Sequence, residues 1–224
     1  MEHDRRALQL ERIVFFSDAV FAIAITLLII EVKVPHLEPT ASERDFAIAL
    51  VKLIPNFVGY FFSFLVIGAY WVGHHKIYGH IVDWNYGLVW RNVFFLLMIA
   101  FMPFTTAFFS EYVTHVVPTV LYASAFALAG VLEIVLWRYA IKSGLTDPTV
   151  DRRELDHLTW RMSVLPVIGL LAIAIGFIQP MFAGMAFALI PVAHRVIGAK
   201  FRKEQQKFEE SLEVSEMKEH TDGI

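Results

Sequence analysis

The first apolar segment of the chain carries an unusual number of polar side chains for a membrane helix. Between its basic ends, Arg12 and Lys33, it contains Ser17, Asp18, Thr26 and Glu31. Ionisable groups at membrane depth are costly, so they usually face a bundle interior or a water-filled cavity. We therefore expect this helix to be shielded from lipid, with the other helices of the chain around it.

The same segment also presents a narrow apolar stripe. On an ideal helix Leu27 lies about 40° from Ile23, and Ile30 lies about 20° from it on the other side. Asp18 lies about 140° from Ile23, so it points back into its own subunit if the stripe faces a central axis. Arg12 and Asp18 are six residues apart and cannot pair along one helix, so their partners should come from neighbouring helices. Alone, such a stripe is most typical of ordinary packing.

Membrane carboxyl groups could also carry protons, which makes a proton- or cation-coupled secondary transporter the alternative function. The candidates are Asp18 and Glu133. Transporters often contain internal repeats or helices broken at matching positions, and the sequence offers no convincing second copy of the first segment. Glu133 follows its apolar stretch directly, so we expect it at the membrane interface.

One cluster has residue types that bind metals, namely His74, His75, His80 and Asp83. Adjacent histidines point about 100° apart on a helix, and a membrane diiron enzyme needs several such boxes. The chain has no cysteine and no G-x-S-x-G motif, which argues against thiolate chemistry and a serine nucleophile. We expect no enzyme activity, no fixed metal site and no cofactor.

The composition requires a membrane. Of the 224 residues, 57% are hydrophobic and 18% charged, whereas soluble domains have about 45–50% and about 25%. The net charge of -3 gives no basic surface for nucleic acid. We expect the lipid bilayer, and not nucleic acid, as the environment of the chain.

Stretches without Asp, Glu, Lys or Arg locate the spans, each of which needs about 20 apolar residues. They are residues 19–30, 53–75, 92–110, 112–132 and 162–194. The last is long enough for a helical hairpin, and it is interrupted at residues 176–180, where Pro180 removes a helix donor. The first stretch is too short to cross the membrane unless the polar residues that flank it also lie within the membrane. The sequence thus predicts an all-α membrane bundle of six helices.

The charge distribution predicts the orientation. With six spans, all but three of the 19 Lys and Arg residues fall on one side, the exceptions being Lys33, Arg44 and Lys52. Cytoplasmic loops carry such an excess, so we expect a multi-pass cell-membrane protein with both termini in the cytoplasm. The six-helix transmembrane domain comprises residues 1–199, and residues 200–224 form a charged cytoplasmic tail.

Three motifs resemble those of the transmembrane protein 175 family of potassium channels. Residues 12–18 fit R-x-x-x-F-S-D at the start of the first span, residues 70–75 read Y-W-V-G-H-H, and Asn92 is followed by F-M-P-F at residues 101–104. The resemblance covers the first three spans by motif and the whole chain by its six-helix arrangement.

The resemblance implies a homotetramer that conducts monovalent cations, with K⁺ as the permeant ion. One copy of the first helix from each subunit would line a central pore, and bulky apolar side chains would form its constriction in place of a T-V-G-Y-G filter. By position these are Ile23, Leu27 and Ile30, which coincide with the stripe above. Thr26 would flank them, although a hydroxyl bonded to its own helix is an equal alternative.

The motif residues themselves would form a polar network that ties the first helix to the second and third. These residues are Arg12, Phe16, Ser17, Asp18, His74, His75 and Asn92. Which of the two histidines takes part is open from the sequence.

Overall fold

The computed structural model describes residues 2–193 and 195–199, with side chains from residue 5 onward. In this part the chain folds into helices connected by short loops, without a β-strand. The helices are α1 (Glu2–Ile30), α2 (Glu43–Lys52), α3 (Ile54–His80), α4 (Tyr86–Glu111), α5 (Val116–Lys142), α6 (Arg152–Met162), α7 (Val164–Ile178) and α8 (Pro180–Ala183), with a 3-10 helix at Gly184–Leu189. The predicted tail, residues 200–224, lies outside the described residues.

Six helical stretches are long and apolar enough to cross a membrane, which confirms the predicted bundle. They are Arg5–Ile30, Ile54–His80, Tyr86–Glu111, Val116–Lys142, Arg152–Ile178 and Pro180–Ala199. Most extend beyond the charge-free windows, because charged residues near the membrane surface continue the helix by one or two turns. The predicted break before the sixth stretch is present at Gln179, between α7 and α8.

Two local features were not predicted. The fifth span is interrupted at Ser163, whose hydroxyl donates to the Thr159 carbonyl at 2.9 Å, and Pro166 has no N–H with which to continue the helix ladder there. The short helix α2 begins with a capping box, in which Ser42 N donates to Asp45 Oδ2 at 2.9 Å. The hydrogen bonds from Ser42 lower the pKa of Asp45 below its ordinary value.

The core is built where α5 packs against α4 and α7. Large aromatic side chains fill it, with Phe95 and Phe126 fully buried. Helix α7 approaches α5 closely, because a Cβ on Gly169 would lie 2.9 Å from Ala127 N. Helix α1 packs on α3 and α4 at the side of this core.

The loops 81–85 and 143–151 meet at one end of the bundle. Val82 N donates to Leu145 O at 2.9 Å, and Asp147 N donates to His80 O at 2.9 Å. The start of α1 is held at the same end, where Arg6 forms an ion pair with Asp83 at 2.7 Å. The structure therefore places two of the predicted cytoplasmic loops and the start of α1 at the same end of the molecule.

Candidate functional site

The predicted apolar stripe of α1 is exposed in the protomer. Ile23, Leu27 and Ile30 have exposed fractions of 58%, 39% and 61%. The opposite face, which includes Phe21 and Leu28, is buried against α3 and α4. One protomer thus encloses α1 on one side only, and a central position for α1 requires further copies of the chain.

Thr26 is exposed beside the stripe and bonds to its own helix. Its Oγ1 lies 2.9 Å from both Ala22 O and Ile23 O. The hydroxyl hydrogen is therefore used within α1. Its oxygen remains available only as an acceptor.

A directed chain of hydrogen bonds joins α1, α3 and α4 in the interior. His74 Nε2 donates to Asn92 Oδ1 at 3.0 Å, since an amide oxygen can only accept. Asn92 Nδ2 donates to Ser17 Oγ at 2.8 Å, and Ser17 Oγ donates to Ile13 O at 2.9 Å. His74, Asn92 and Ser17 are each at most 1% exposed. This series of hydrogen bonds fixes which turns of the three helices face one another. A shift of one helix would leave buried polar groups without a hydrogen-bond partner, which costs free energy.

The acidic residue of the motif has a separate partner. Trp71 Nε1 donates to Asp18 Oδ1 at 2.9 Å, and the ring of His75 stacks on Trp71 with centroids 5.7 Å apart. Asp18 therefore points towards α3 and away from the apolar stripe. Of the two histidines, His74 is the one that joins the hydrogen-bonded chain.

Three residues predicted in the network lie outside its hydrogen bonds. Arg12 and Phe16 are exposed on the side of α1 that carries the stripe, and His75 is exposed on α3. Arg12 forms no hydrogen bond or ion pair with any residue that the structure describes. Both Arg12 and Phe16 lie about 20° from Ile23 on the helical wheel, which explains why they point away from α3 and α4.

Sequence reasoning missed two elements of the polar interior. Trp71 was part of a quoted motif, but its indole N–H was not considered as the donor to Asp18. A second buried group joins α3, α4 and α5, in which Thr106 Oγ1 donates to Ser63 Oγ at 2.8 Å and Ser63 lies 3.0 Å from the Tyr122 hydroxyl. Single hydroxyl residues in apolar helices give no sequence signal for such long-range pairing.

Comparison with known proteins identifies the family to which this bundle belongs. A family model described as "Endosomal/lysosomal potassium channel TMEM175" matches residues 12–103. A protein of Chamaesiphon minutus named as a potassium channel is 33% identical over 183 residues, covering 80% of this chain and 90% of that protein. The chain belongs to the TMEM175 family. A Streptomyces collinus protein, also named as a potassium channel, is 33% identical over 75% of this chain and 92% of its own length.

Solved TMEM175 structures have the same fold. A crystal structure described as a lysosomal potassium-selective channel TMEM175 homolog from Chamaesiphon minutus matches with a TM-score of 0.73 at 30% identity, over 84% of this chain and 98% of that one. The rat endosomal/lysosomal proton channel TMEM175 is 25% identical over 82% of this chain, which spans only 39% of the rat protein. The prokaryotic TMEM175 relatives are therefore matched over nearly their whole length, and the animal one over a part.

Glu133 of α5 is buried between helices. It is 1% exposed, and its Oε1 has no hydrogen-bond partner among the described residues. It faces Gly73 on α3, where a Cβ would lie 2.9 Å from Glu133 Oε1, and its position at the membrane interface stays a prediction. The glycine leaves room for the carboxyl between the helices. No group of three metal-binding side chains occurs in the described part of the chain.

Proposed function

We propose that this chain is one subunit of a potassium-permeable cation channel whose pore is lined by α1. The observation that supports it is the asymmetry of α1. Its polar side chains Ser17 and Asp18 are bonded inward to α4 and α3, while its apolar stripe around Ile23 is left exposed. An apolar stripe without a partner in the protomer is accounted for if it faces the same stripe of other copies.

The proposed assembly is a homotetramer. One helix per subunit cannot enclose a path, whereas several copies around a closed symmetry axis can. Arg12 and Phe16 would face the neighbouring subunits at the end of α1 near the loop 81–85. Arg12→Ala should therefore reduce the yield of assembled protein more than the folding of the protomer. A cross-linking ladder or native mass measurement in mild detergent tests the assembly, and a species that stops at the monomer contradicts it.

The proposed mechanism is conduction through a hydrophobic constriction. Rings of Ile23, Leu27 and Ile30 would exclude water while they are narrow and admit ions when they widen, as hydrophobic gates do by dewetting. A cation that holds its hydration shell weakly crosses such a ring more readily, which favours K⁺ over Na⁺. Thr26 would lie about 60° from Ile23 and would offer oxygen lone pairs beside the constriction. No reaction or cofactor is needed, and K⁺ is the permeant ion.

The proposed location is the cell membrane, with both termini in the cytoplasm. The loops 81–85 and 143–151 and the start of α1 lie at one end of the bundle, as this orientation requires. Cysteine labelling from either side of an intact membrane tests it. Labels at the loop 31–42 should react from outside, and labels at the loop 143–151 from inside.

Purified protein in liposomes with a potassium gradient provides the test of function. A channel gives passive flux down the gradient that continues when every other ion is symmetric, whereas a secondary transporter requires a counter-ion gradient. Because the animal relatives are named as proton channels, a pH-sensitive dye in the same vesicles reports whether protons also pass. Absence of passive potassium flux from well-assembled protein would contradict the proposal.

A further inference from the structure

The protomer has a cavity that no residue of α1 lines, so it is separate from the apolar stripe. It has a volume of about 330 Å³ and opens between α3, α5 and the junction of α6 with α7. This is within the size range of small-molecule sites, which begins at about 300 Å³. Its walls are apolar at the membrane level, where Leu65, Ala69 and Val72 of α3 line it.

Two cations stand at the polar end of this cavity. Lys76 lies one turn beyond Val72 on α3, and Arg161 lies in the last turn of α6. Neither forms a hydrogen bond or an ion pair through its side chain with any residue that the structure describes. Both are at the end of the bundle where the loops 81–85 and 143–151 meet, that is, where α3 leaves the membrane. Two neighbouring cations without an acidic partner there attract an anionic group.

A buried carboxyl group lies deeper in the same cavity. Glu133 lines it beside Gly73, one turn closer to the membrane centre than Lys76. It is 1% exposed, and its Oε1 has no partner among the described residues. A buried polar group in this state costs free energy unless something binds it. This orphaned carboxyl is the second, independent indication that the cavity holds a ligand.

We infer that the cavity binds one anionic membrane phospholipid. Its phosphate lies between Lys76 and Arg161, and an acyl chain follows Val72, Ala69 and Leu65 towards the membrane centre. The carboxyl group of Glu133 faces the glycerol ester region and, when protonated, donates a hydrogen bond to it. The order of the groups from the polar end of the cavity inward, with the cations first, the carboxyl next and the apolar residues beyond, matches the order of phosphate, ester and chain in such a lipid. The inference does not rest on the proposed pore.

Titration of the detergent-solubilised protein with phosphatidylglycerol, followed by native mass spectrometry, tests the inference. The double variant K76Q/R161Q should bind about thirtyfold more weakly, since each cation near a membrane surface contributes a factor of about five. The matched control R138Q/K142Q removes two cations on α5 at the same end of the bundle, outside the cavity lining, and should bind like the unaltered protein. Equal binding by K76Q/R161Q and the unaltered protein, or an equal loss in the control, would overturn the inference.

Two further binding experiments identify the ligand in the cavity. E133Q keeps a hydrogen-bond donor for the ester region and carries no charge, so its binding should be unchanged. Loss of binding in E133Q alone would mean a cationic ligand and would overturn the inference. Competition by inorganic phosphate at millimolar concentration should be absent, and full competition would mean a free-phosphate site.

A covalent probe covers the case in which K76Q/R161Q does not fold. Phosphatidylglycerol with a photoreactive group near the ester end of one chain is added to the unaltered protein. The label should appear in peptides that contain Leu65–Val72 or Leu158–Leu165, and phosphatidylglycerol should suppress it better than phosphatidylcholine does. Labelling only elsewhere, or coverage of these residues by a second copy of the chain, would show that no lipid occupies the cavity.

Discussion

Asn92→Leu tests the hydrogen-bonded chain that fixes α1. The substitution keeps the volume of the side chain and removes both hydrogen bonds of the amide. These are the bond that Oδ1 accepts from His74 Nε2 at 3.0 Å and the bond that Nδ2 donates to Ser17 Oγ at 2.8 Å. Ser17 keeps its bond to Ile13 O, whereas the ring N–H of His74 loses its partner at a position that is 1% exposed. The cost therefore falls mainly on His74.

The size of the effect follows from two bounds. Orphaning a buried donor costs about 1–3 kcal/mol and losing one further bond about 1 kcal/mol, which gives about 2–4 kcal/mol. Hydrogen bonds between membrane helices average only about 0.6 kcal/mol and reach about 1.7 kcal/mol, so two of them give about 1–3 kcal/mol. The ranges overlap at about 2–3 kcal/mol, the loss that we expect in the free energy of unfolding.

Reversible unfolding by sodium dodecyl sulfate in mixed micelles measures this loss. Asn56→Leu is the matched control, because Asn56 on α3 is half-buried and its side chain has no hydrogen bond with the described residues; it should change stability by less than about 0.5 kcal/mol. A double-mutant cycle that combines Asn92→Leu with Ser17→Ala should give a coupling free energy of about 0.5–1 kcal/mol between the two residues. An Asn92→Leu protein as stable as the unaltered one, or strict additivity with Ser17→Ala, would refute the assigned bonds.

Three other changes have distinct expected outcomes. Ile23→Asn should increase liposome flux several-fold and weaken the preference for potassium over sodium, because the amide holds water in the constriction; unchanged ion preference in assembled protein removes Ile23 from the pore. Trp71→Phe should cost about 0.5–1.5 kcal/mol in the micelle assay by removing the donor to Asp18, and Asp18→Asn should then add little; full additivity of the two would argue against their contact. Gly169→Ala should destabilise by about 1–3 kcal/mol in the micelle assay through overpacking against α5, whereas Gly68→Ala, with open space around its Cβ, should be neutral or stabilising there.

The sequence predicts the helices well, because their signals are local. Five stretches without charge locate the six membrane-spanning segments, because Pro180 marks the break that divides the last stretch into two. The interruption at Ser163 was missed, because only Pro180, and not Pro166, was considered as a break in this apolar stretch. Helix α2 was missed because it lies between charged residues and its signal is the capping box at Ser42, which is not a hydrophobic one.

The polar interior is only partly predictable, because its partners are distant in sequence. The motif and helical geometry indicated that Asp18 points into the subunit, but not that Trp71 is its donor. The burial of Glu133 was not predicted, because only its charge was considered, whereas the space left by Gly73 is a property of the packed helices. Arg12 was grouped with its motif neighbours, yet it lies about 120° from Asp18 around the helix, on the side that carries the stripe.

Within the part of the chain that the structure describes, helix α1 is held by side-chain hydrogen bonds along its first half only, so its second half is freer to move. Among the described residues, its side-chain bonds to other helices and loops involve only Arg6, Ser17 and Asp18, and apolar contacts alone hold the half beyond them. Such contacts are non-directional, so a small tilt of that half alone, with Ser17 as the pivot, breaks none of these side-chain hydrogen bonds. At 1.5 Å per residue Ile30 is about 20 Å from this pivot and Ile23 about 9 Å, so a tilt of about 5° moves them by about 2 Å and 1 Å. The far end of the helix thus travels twice as far as the middle, so in the proposed pore a ring of Ile30 side chains would change its width more than a ring of Ile23 side chains.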